Sequence, residues 1–210
     1  MQYLKTMLDE KRLILCAGSQ TRWNKVLNPD IPEIKQLIEV KDEILIERIQ
    51  RQFPGSIVIT HLDAIKQHST MVFNVEQGIC TLNTLLTTHL LWSEWTTILL
   101  GDVNYGKDTI RKIKAQEQQI QFYGDQKEIY ALKWHRSFND FIIMNIGAVI
   151  NNPGWTPQFG KLWNLYRSCT GTHFMVRSEI KKFFTFVSDS QDFDIQAEYI
   201  KYAKKQGIRK

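Results

Sequence analysis

The sequence predicts an α/β fold, a Rossmann-like three-layer sandwich whose mostly parallel sheet carries an added antiparallel element. Three observations point there. Short apolar or β-branched runs alternate with stretches of helical periodicity through the first half of the chain. Two of those runs end in small polar turns: Leu13-Ile14-Leu15-Cys16-Ala17 runs into Gly18, and residues 96–100 stop at Gly101-Asp102. Finally, 43% of the 210 residues are hydrophobic, enough for a sizeable core.

Each element has a local reason. Residues 1–12 are polar and read as an arm or a short helix, and 13–17 as a buried strand. Asn24 to Pro32 is a loop broken by Asn28-Pro29-Asp30 and Pro32. Ile44, Leu45, Ile49 and Phe53 fall at helical spacing, and Pro54-Gly55 ends that helix. Residues 56–60 and 71–75 read as the next two strands. From Gly78 to Trp92, the stripe Leu82, Leu85, Leu86, Leu90 and Leu91 predicts a helix with Thr81 as N-cap. A strand at 96–100, a helix at 109–118 and strands at 120–123 and 128–134 follow. Ser137 with Asp140 resembles a capping box, and apolar residues from Phe138 to Val149 continue at helical spacing. Residues 151–160, rich in Asn, Pro and Gly, read as a long loop near a pocket rim. Short strands at 172–177 and 183–187 precede a terminal helix, 195–206, closed by Gly207. With no interdomain linker, residues 1–210 are expected to form a single domain.

Composition narrows the function classes. Lys and Arg exceed Asp and Glu by 27 − 22 = +5. The charges are dispersed, which suits a phosphorylated small substrate better than nucleic acid. Cys16, Cys80 and Cys169 form no C-x-x-C pair and fit a reducing cytoplasm. No apolar run reaches membrane-spanning length, and Asp9 to Arg12 interrupt any signal-like segment. The oligomeric state is not encoded in any pattern. The five histidines have no metal-ligand spacing.

Two polar clusters are expected to meet, because ligands of an open parallel sheet bind beyond the carboxyl ends of its strands. One is Gly18-Ser19-Gln20-Thr21-Arg22, with Lys35 following; backbone N–H groups and two cations can surround a triphosphate. The other is Gly101-Asp102, an acid suited to magnesium, which takes one or two carboxylates plus phosphate oxygens. The bland alternatives are an ordinary turn and a loop cap. Gly101 to Lys107 also matches G-x-x-x-x-G-K, but Asp108 stands where a phosphate loop needs Ser or Thr. Among the tryptophans, Trp92, Trp95 and Trp134 read as core; Trp23, Trp155 and Trp163 are candidates for stacking on a base or sugar, with packing favoured.

At these residues the chain resembles the nucleotidyltransferases of the nucleotide-diphospho-sugar transferase superfamily, in particular the compact molybdenum cofactor guanylyltransferase-like and cytidylyltransferase-like members. Ala17-Gly18, Arg22 and Lys35-Gln36-Leu37 match the opening motif, Gly101-Asp102 the mid-chain acidic turn, and Asp194 to Tyr199 a degraded form of the late segment. Gln20 stands where a second glycine is usual, and Ile195-Gln196 replaces Thr-Pro. The resemblance implies that Ala17 to Thr21 line the nucleotide, with Gly78 and Thr81 near the base. It implies that Arg22 and Lys35 hold the triphosphate, and that Asp102 and Asp194 hold Mg2+. Asp192 or Asp189 are alternatives to Asp194. Lys161, Arg167 and Arg177 are candidates for an acceptor phosphate. The implied reaction moves a nucleoside monophosphate unit from a nucleoside triphosphate to a phosphorylated small acceptor, releasing pyrophosphate. A nucleotide-sugar-dependent glycosyltransferase, for which Asp102-Val103-Asn104 and Asp192-Phe193-Asp194 are partial metal motifs, and an inactive nucleotide- or nucleic-acid-binding module are the alternatives.

Overall fold

The computed structural model describes residues 10–18, 23, 28–78, 80–115, 118–152, 161–172 and 182–207. The strands are β1 (Glu10–Leu15), β2 (Glu39–Val40), β3 (Glu43–Ile44), β4 (Ile57–Thr60), β5 (Val72–Asn74), β6 (Trp95–Leu100), β7 (Val103–Asn104), β8 (Ile120–Gly124), β9 (Ile129–His135), β10 (Phe184–Phe186) and β11 (Gln191–Asp192). The helices are α1 (Leu45–Gln52), α2 (Asp63–Lys66), α3 (Thr81–Thr87), α4 (Lys107–Lys114), α5 (Asn139–Ile150), α6 (Leu162–Thr170) and α7 (Gln196–Lys205).

Seven strands form one sheet in the order β10-β8-β9-β6-β1-β4-β5. β1 pairs in parallel with β4 and with β6, and β4 with β5. β9 runs antiparallel to both neighbours, β6 and β8, and is the antiparallel element. Alternation along each strand sends side chains to two faces. In β1, Ile14 joins a core under α1 and α7, while Leu13 and Leu15 join a second core under α3, α5 and α6. Those two cores are the two interfaces of a three-layer sandwich. The chain winds from β1 through β4 to β5 on one side, then crosses to β6 on the other side of β1. The resulting switch point lies at the carboxyl ends of β1 and β6, where open α/β sheets make their crevice.

Several local expectations are corrected. The helix read from 78 to 92 stops at Thr87 and gives way to a 3-10 turn at His89–Leu91; Leu90 is 81% exposed. Its N-cap is Cys80, with Thr81 as first helical residue. No Ser137–Asp140 capping box forms: α5 starts at Asn139 with Phe138 at the N-cap, after a 3-10 turn over Arg136–Phe138. A helix absent from the sequence assignment, α6, ends at Gly171 in the left-handed conformation (φ 65°). Asp42 and Lys41, both at positive φ, close the tight β2–β3 hairpin. Residues 173–177 of the strand expected at 172–177, and 153–160 of the long loop, lie outside the described residues, as do residues 1–9 of the arm; residues 10–12, read as part of that arm, are instead the first half of β1, paired in parallel with β6.

Trp23 and Trp163 are packing residues. Trp23 is 1% exposed and donates its indole N–H to Pro32 O at 2.8 Å. Trp163 is buried against Phe184 and Tyr166 and donates to Lys127 O. Trp134 is fully buried, while Trp92 and Trp95 are half-buried. Trp155 is outside the described residues.

Candidate active site

The site begins where β1 and β6 end side by side. Leu15 faces Leu100 in register, and Gly101 N–H donates to Leu15 O at 3.1 Å. A methyl group built on Gly101 would overlap the Cys16 sulfur, so only glycine lets the two strand ends approach this closely. Tyr105 braces the turn from beneath: its hydroxyl accepts from Leu100 N at 2.9 Å and donates to Tyr130 O at 2.7 Å. Burial pushes the Tyr105 phenol well above its ordinary value, so it remains a neutral hydroxyl. This brace aims Asp102 into the crevice.

Two further carboxylates arrive from the C-terminal part of the chain. β11 pairs antiparallel with β7, placing Asp192 opposite Val103, and Phe193 N–H donates to Asp102 O at 3.2 Å. In this extended segment Asp192 and Asp194 face one side while Phe193 is fully buried on the other. Carboxylate oxygens of Asp102, Asp192 and Asp194 lie within 4.8 Å of one another. One Asp192 oxygen, Oδ1, is buried with no hydrogen-bond partner among the described residues. Burial, then the neighbouring Asp102 and Asp194 charges, push the Asp192 carboxyl well above the carboxylate range, against the pull of Lys35.

Lys35 is the cation of the cluster. It lies in a 3-10 turn, Lys35–Leu37, whose neighbours Ile34 and Leu37 pack on the core and whose Gln36 is buried. Its ammonium forms an ion pair with Asp102 and stands 3.7 Å from Asp194. Burial pulls the Lys35 pKa down, but Asp102, Asp192 and Asp194 together hold it above the ordinary lysine value, so the ammonium stays charged. The loop bearing Lys35 is tied to α7: Asn28 N–H donates to Gln196 Oε1 at 3.0 Å, and Tyr199 donates to Glu39 O at 2.9 Å. Those ties bring chain positions far apart in sequence into one crevice.

Other candidates fall in different places. Ala17 is buried and Gly18 exposed, just past the end of β1. Ser19, Gln20, Thr21 and Arg22 lie outside the described residues. Gly78 packs on Thr84, and Thr81 opens α3. Asp189 stands outside the carboxylate cluster and binds the start of α4 instead. Lys161 pairs with Glu128 at 2.5 Å. Arg167 lies over the Trp163 ring, 5.8 Å from its centroid. Arg177 is outside the described residues. Cys16, although next to Gly101, is no nucleophile: burial, with Asp102 nearby, pushes its thiol far up, and thiolate is the reactive form.

No family profile matches the chain, and no curated protein sequence matches it. Solved structures do. The CTP:phosphocholine cytidylyltransferase of Streptococcus pneumoniae superposes with a TM-score of 0.62 at 14% identity, over 94% of this chain and 99% of that one. The chain has the nucleotide-diphospho-sugar transferase fold. The inositol-1-phosphate CTP transferase of T. maritima shares the nucleotidyltransferase fold with a TM-score of 0.58 at 10% identity, over 90% of each chain. A Mycobacterium tuberculosis protein solved in complex with manganese matches at 0.56 and 15% identity, over 93% of this chain and 98% of that one.

Proposed function

We propose that this protein is a Mg2+-dependent nucleotidyltransferase. It transfers a nucleoside monophosphate unit from a nucleoside triphosphate to a phosphorylated small acceptor, a sugar or polyol phosphate or a cofactor precursor, and releases pyrophosphate. One observation carries the reading: three carboxylates and a charged lysine gather at the switch point of a sheet whose structural neighbours include a phosphocholine cytidylyltransferase and an inositol-1-phosphate CTP transferase.

The residues suit a hard divalent cation. Asp102, Asp192 and Asp194 offer oxygen donors, the kind magnesium takes together with phosphate oxygens. Asp192 Oδ1 is a buried oxygen in want of a partner. A divalent cation among these oxygens would favour the ionised form of Asp192, which burial and the neighbouring acids otherwise disfavour. When bound, the ion supplies positive charge to the phosphate oxygens and the departing pyrophosphate.

The chain's own residues do the rest by position and charge. Lys35 presents a permanently charged ammonium to the triphosphate, and Arg22 serves as its second clamp. The main chain of Ala17 and Gly18, with residues 19–21, borders the nucleoside, and Gly78 and Thr81 border the base. An acceptor phosphate oxygen attacks the α-phosphorus, the bond from that phosphorus to the bridging oxygen breaks, and the electron pair leaves on pyrophosphate. A phosphate nucleophile is already ionised near neutral pH, so no general base is needed. Lys161, whose ammonium pairs with Glu128, is the candidate for the acceptor phosphate. The three free cysteines suit a cytoplasmic setting.

The test is a panel of the four common nucleoside triphosphates with Mg2+ and phosphorylated acceptors, read by pyrophosphate release. Turnover that Asp102→Asn lowers by a factor of about 10² or more supports the reading; full turnover by that variant overturns it. Asp192-Phe193-Asp194 keeps a nucleotide-sugar glycosyltransferase as the second reading. Nucleoside diphosphate release from a nucleotide sugar, without pyrophosphate from any triphosphate, favours that one.

A further inference from the structure

The segment that delivers Asp192 and Asp194 has almost no secondary structure of its own, since β11 is two residues long. Its carboxylate oxygens lie within 4.8 Å of one another and of an Asp102 oxygen, a crowding of like groups that does not hold itself together. Something must hold the segment in place. Downstream, Glu198 Oε2 accepts from Asp194 N–H at 2.9 Å and Ile195 N–H at 3.2 Å. In the middle, β11 pairs with β7.

Upstream, the anchor is the N-terminus of α4. Asp189 Oδ2 accepts from Asp108 N–H at 2.8 Å. Asp189 Oδ1 accepts from Thr109 N–H at 3.2 Å and from the Thr109 hydroxyl at 2.5 Å. Ser190 Oγ accepts from Gly106 N–H at 3.1 Å and donates to Thr109 Oγ1 at 2.9 Å. Residues 189 and 190 thus satisfy amides at the N-cap and the first turn of α4 from about eighty residues away, which helices usually manage with a local side chain. Gly106 makes this approach feasible, because a methyl group there would overlap the Asp189 carboxylate. The G-x-x-x-x-G-K look-alike therefore does hold an anion at its helix start, but the anion is the chain's own carboxylate. Asp102, β7 and α4 are nearly continuous in sequence. The clamp consequently braces both carboxylate-bearing segments against each other.

We propose that Asp189 is a positioning residue that sets the metal affinity of the Asp102–Asp192–Asp194 cluster by pinning its segment to α4. This rests on the reading of that cluster as a metal site. Second-layer partners of metal ligands commonly change affinity by about 10- to 100-fold when removed.

The experiment is Mn2+ titration of the whole protein, with free ion followed by electron paramagnetic resonance, at a temperature where every variant is folded. Asp189→Ala is expected to weaken Mn2+ binding by about tenfold or more. Asp189→Asn, which keeps an oxygen for the helix amides, is expected to restore most of it. Ile113→Val, which loosens the buried face of α4 without touching the clamp, is expected to lower the melting temperature in EDTA and leave Mn2+ affinity unchanged. Wild-type binding that Asp102→Asn weakens but Asp189→Ala leaves intact overturns the inference alone. Equal loss from Ile113→Val also overturns it, since general loosening would then explain the effect. If Asp189→Ala does not fold, Ser190→Ala, which removes the hydroxyl bonded to Gly106 N–H and Thr109, carries the comparison, and wild-type affinity in that variant overturns the inference. No Mn2+ binding by the wild-type protein overturns the metal reading itself, and this inference with it.

Discussion

Lys35 is the residue on which charge balance at the site turns. It is the cation placed against Asp102 and Asp194, and its own pKa is held up by those neighbours rather than let down by burial. Lys35→Ala is expected to lower turnover by a factor on the order of 10², the loss of one electrostatic clamp. Far-UV circular dichroism is expected to remain that of the folded protein. Unchanged steady-state pyrophosphate release would remove Lys35 from the chemistry. Gly101 makes a different, purely steric contribution. Gly101→Ala is expected to cost roughly 2 kcal/mol in urea unfolding, because the added methyl group collides with Cys16 in a packed strand end. Adding Cys16→Ala should recover part of that loss, since the sulfur leaves while Leu15 O stays 3.1 Å from the new carbon. Strictly additive costs would refute the contact.

At the scale of elements, the central strands carry a buried ionic network away from the crevice. Glu10 in β1 accepts from the Thr97 hydroxyl of β6 at 2.7 Å, and its carboxylate lies 3.1 Å from Lys133 Nζ of β9 and 2.6 Å from Arg12. Burial pushes the Glu10 carboxyl up, but Lys133, Thr97 and Arg12 together bring it below its ordinary value. A depressed folded-state pKa means stability that is present above the unfolded value, about 4.3, and lost as pH falls through the folded one. Glu10→Gln is expected to flatten that acid limb. At neutral pH it should cost on the order of 3 kcal/mol, because Lys133, 5% exposed, would keep a buried charge without its partner. Chemical denaturation at pH 7 and at pH 3 checks both; equal destabilisation at the two pH values would refute the linkage. The sequence patterns were legible at this scale wherever a strand or helix has its own periodicity, as in β1, β4, β6 and α1. They failed at α3, whose leucine stripe runs on past Thr87 although Leu90 is solvent-exposed. They also failed at α6, where Trp163, Asn164 and Tyr166 are buried by packing on β10 and α5 rather than announced by a clean apolar face.

At the scale of the whole molecule, one cooperative unfolding transition is expected, because a single seven-stranded sheet carries both cores among the described residues. Tryptophan fluorescence and far-UV circular dichroism are expected to report the same unfolding midpoint; two separated midpoints would mean two domains. Mg2+ or Mn2+ at about 100 times its dissociation constant should add roughly 2.7 kcal/mol of stability, and EDTA should remove it. Asp102→Asn is expected to lose that increment, and a metal-independent melting temperature in the wild-type protein would count against the cluster. Among the described residues no helix is long and apolar enough to cross a membrane.

What the amino-acid sequence determined alone is the set of local events: alternating strands and helices, a glycine after β1, and a Gly-Asp turn after β6. Each follows from short-range sterics and periodicity, which need no knowledge of the rest of the chain. Which acids meet is a different matter. Asp189, Asp192 and Asp194 are three similar carboxylates within six positions. Tertiary structure spends the first on the free amides of α4 and turns the other two toward Asp102 by pairing β11 with β7. Lys35 reaches them only because its loop is tied to α7 through Gln196 and Tyr199. Such choices depend on contacts between segments eighty or more residues apart, where sequence spacing carries no geometric information and only packing and hydrogen-bond satisfaction decide.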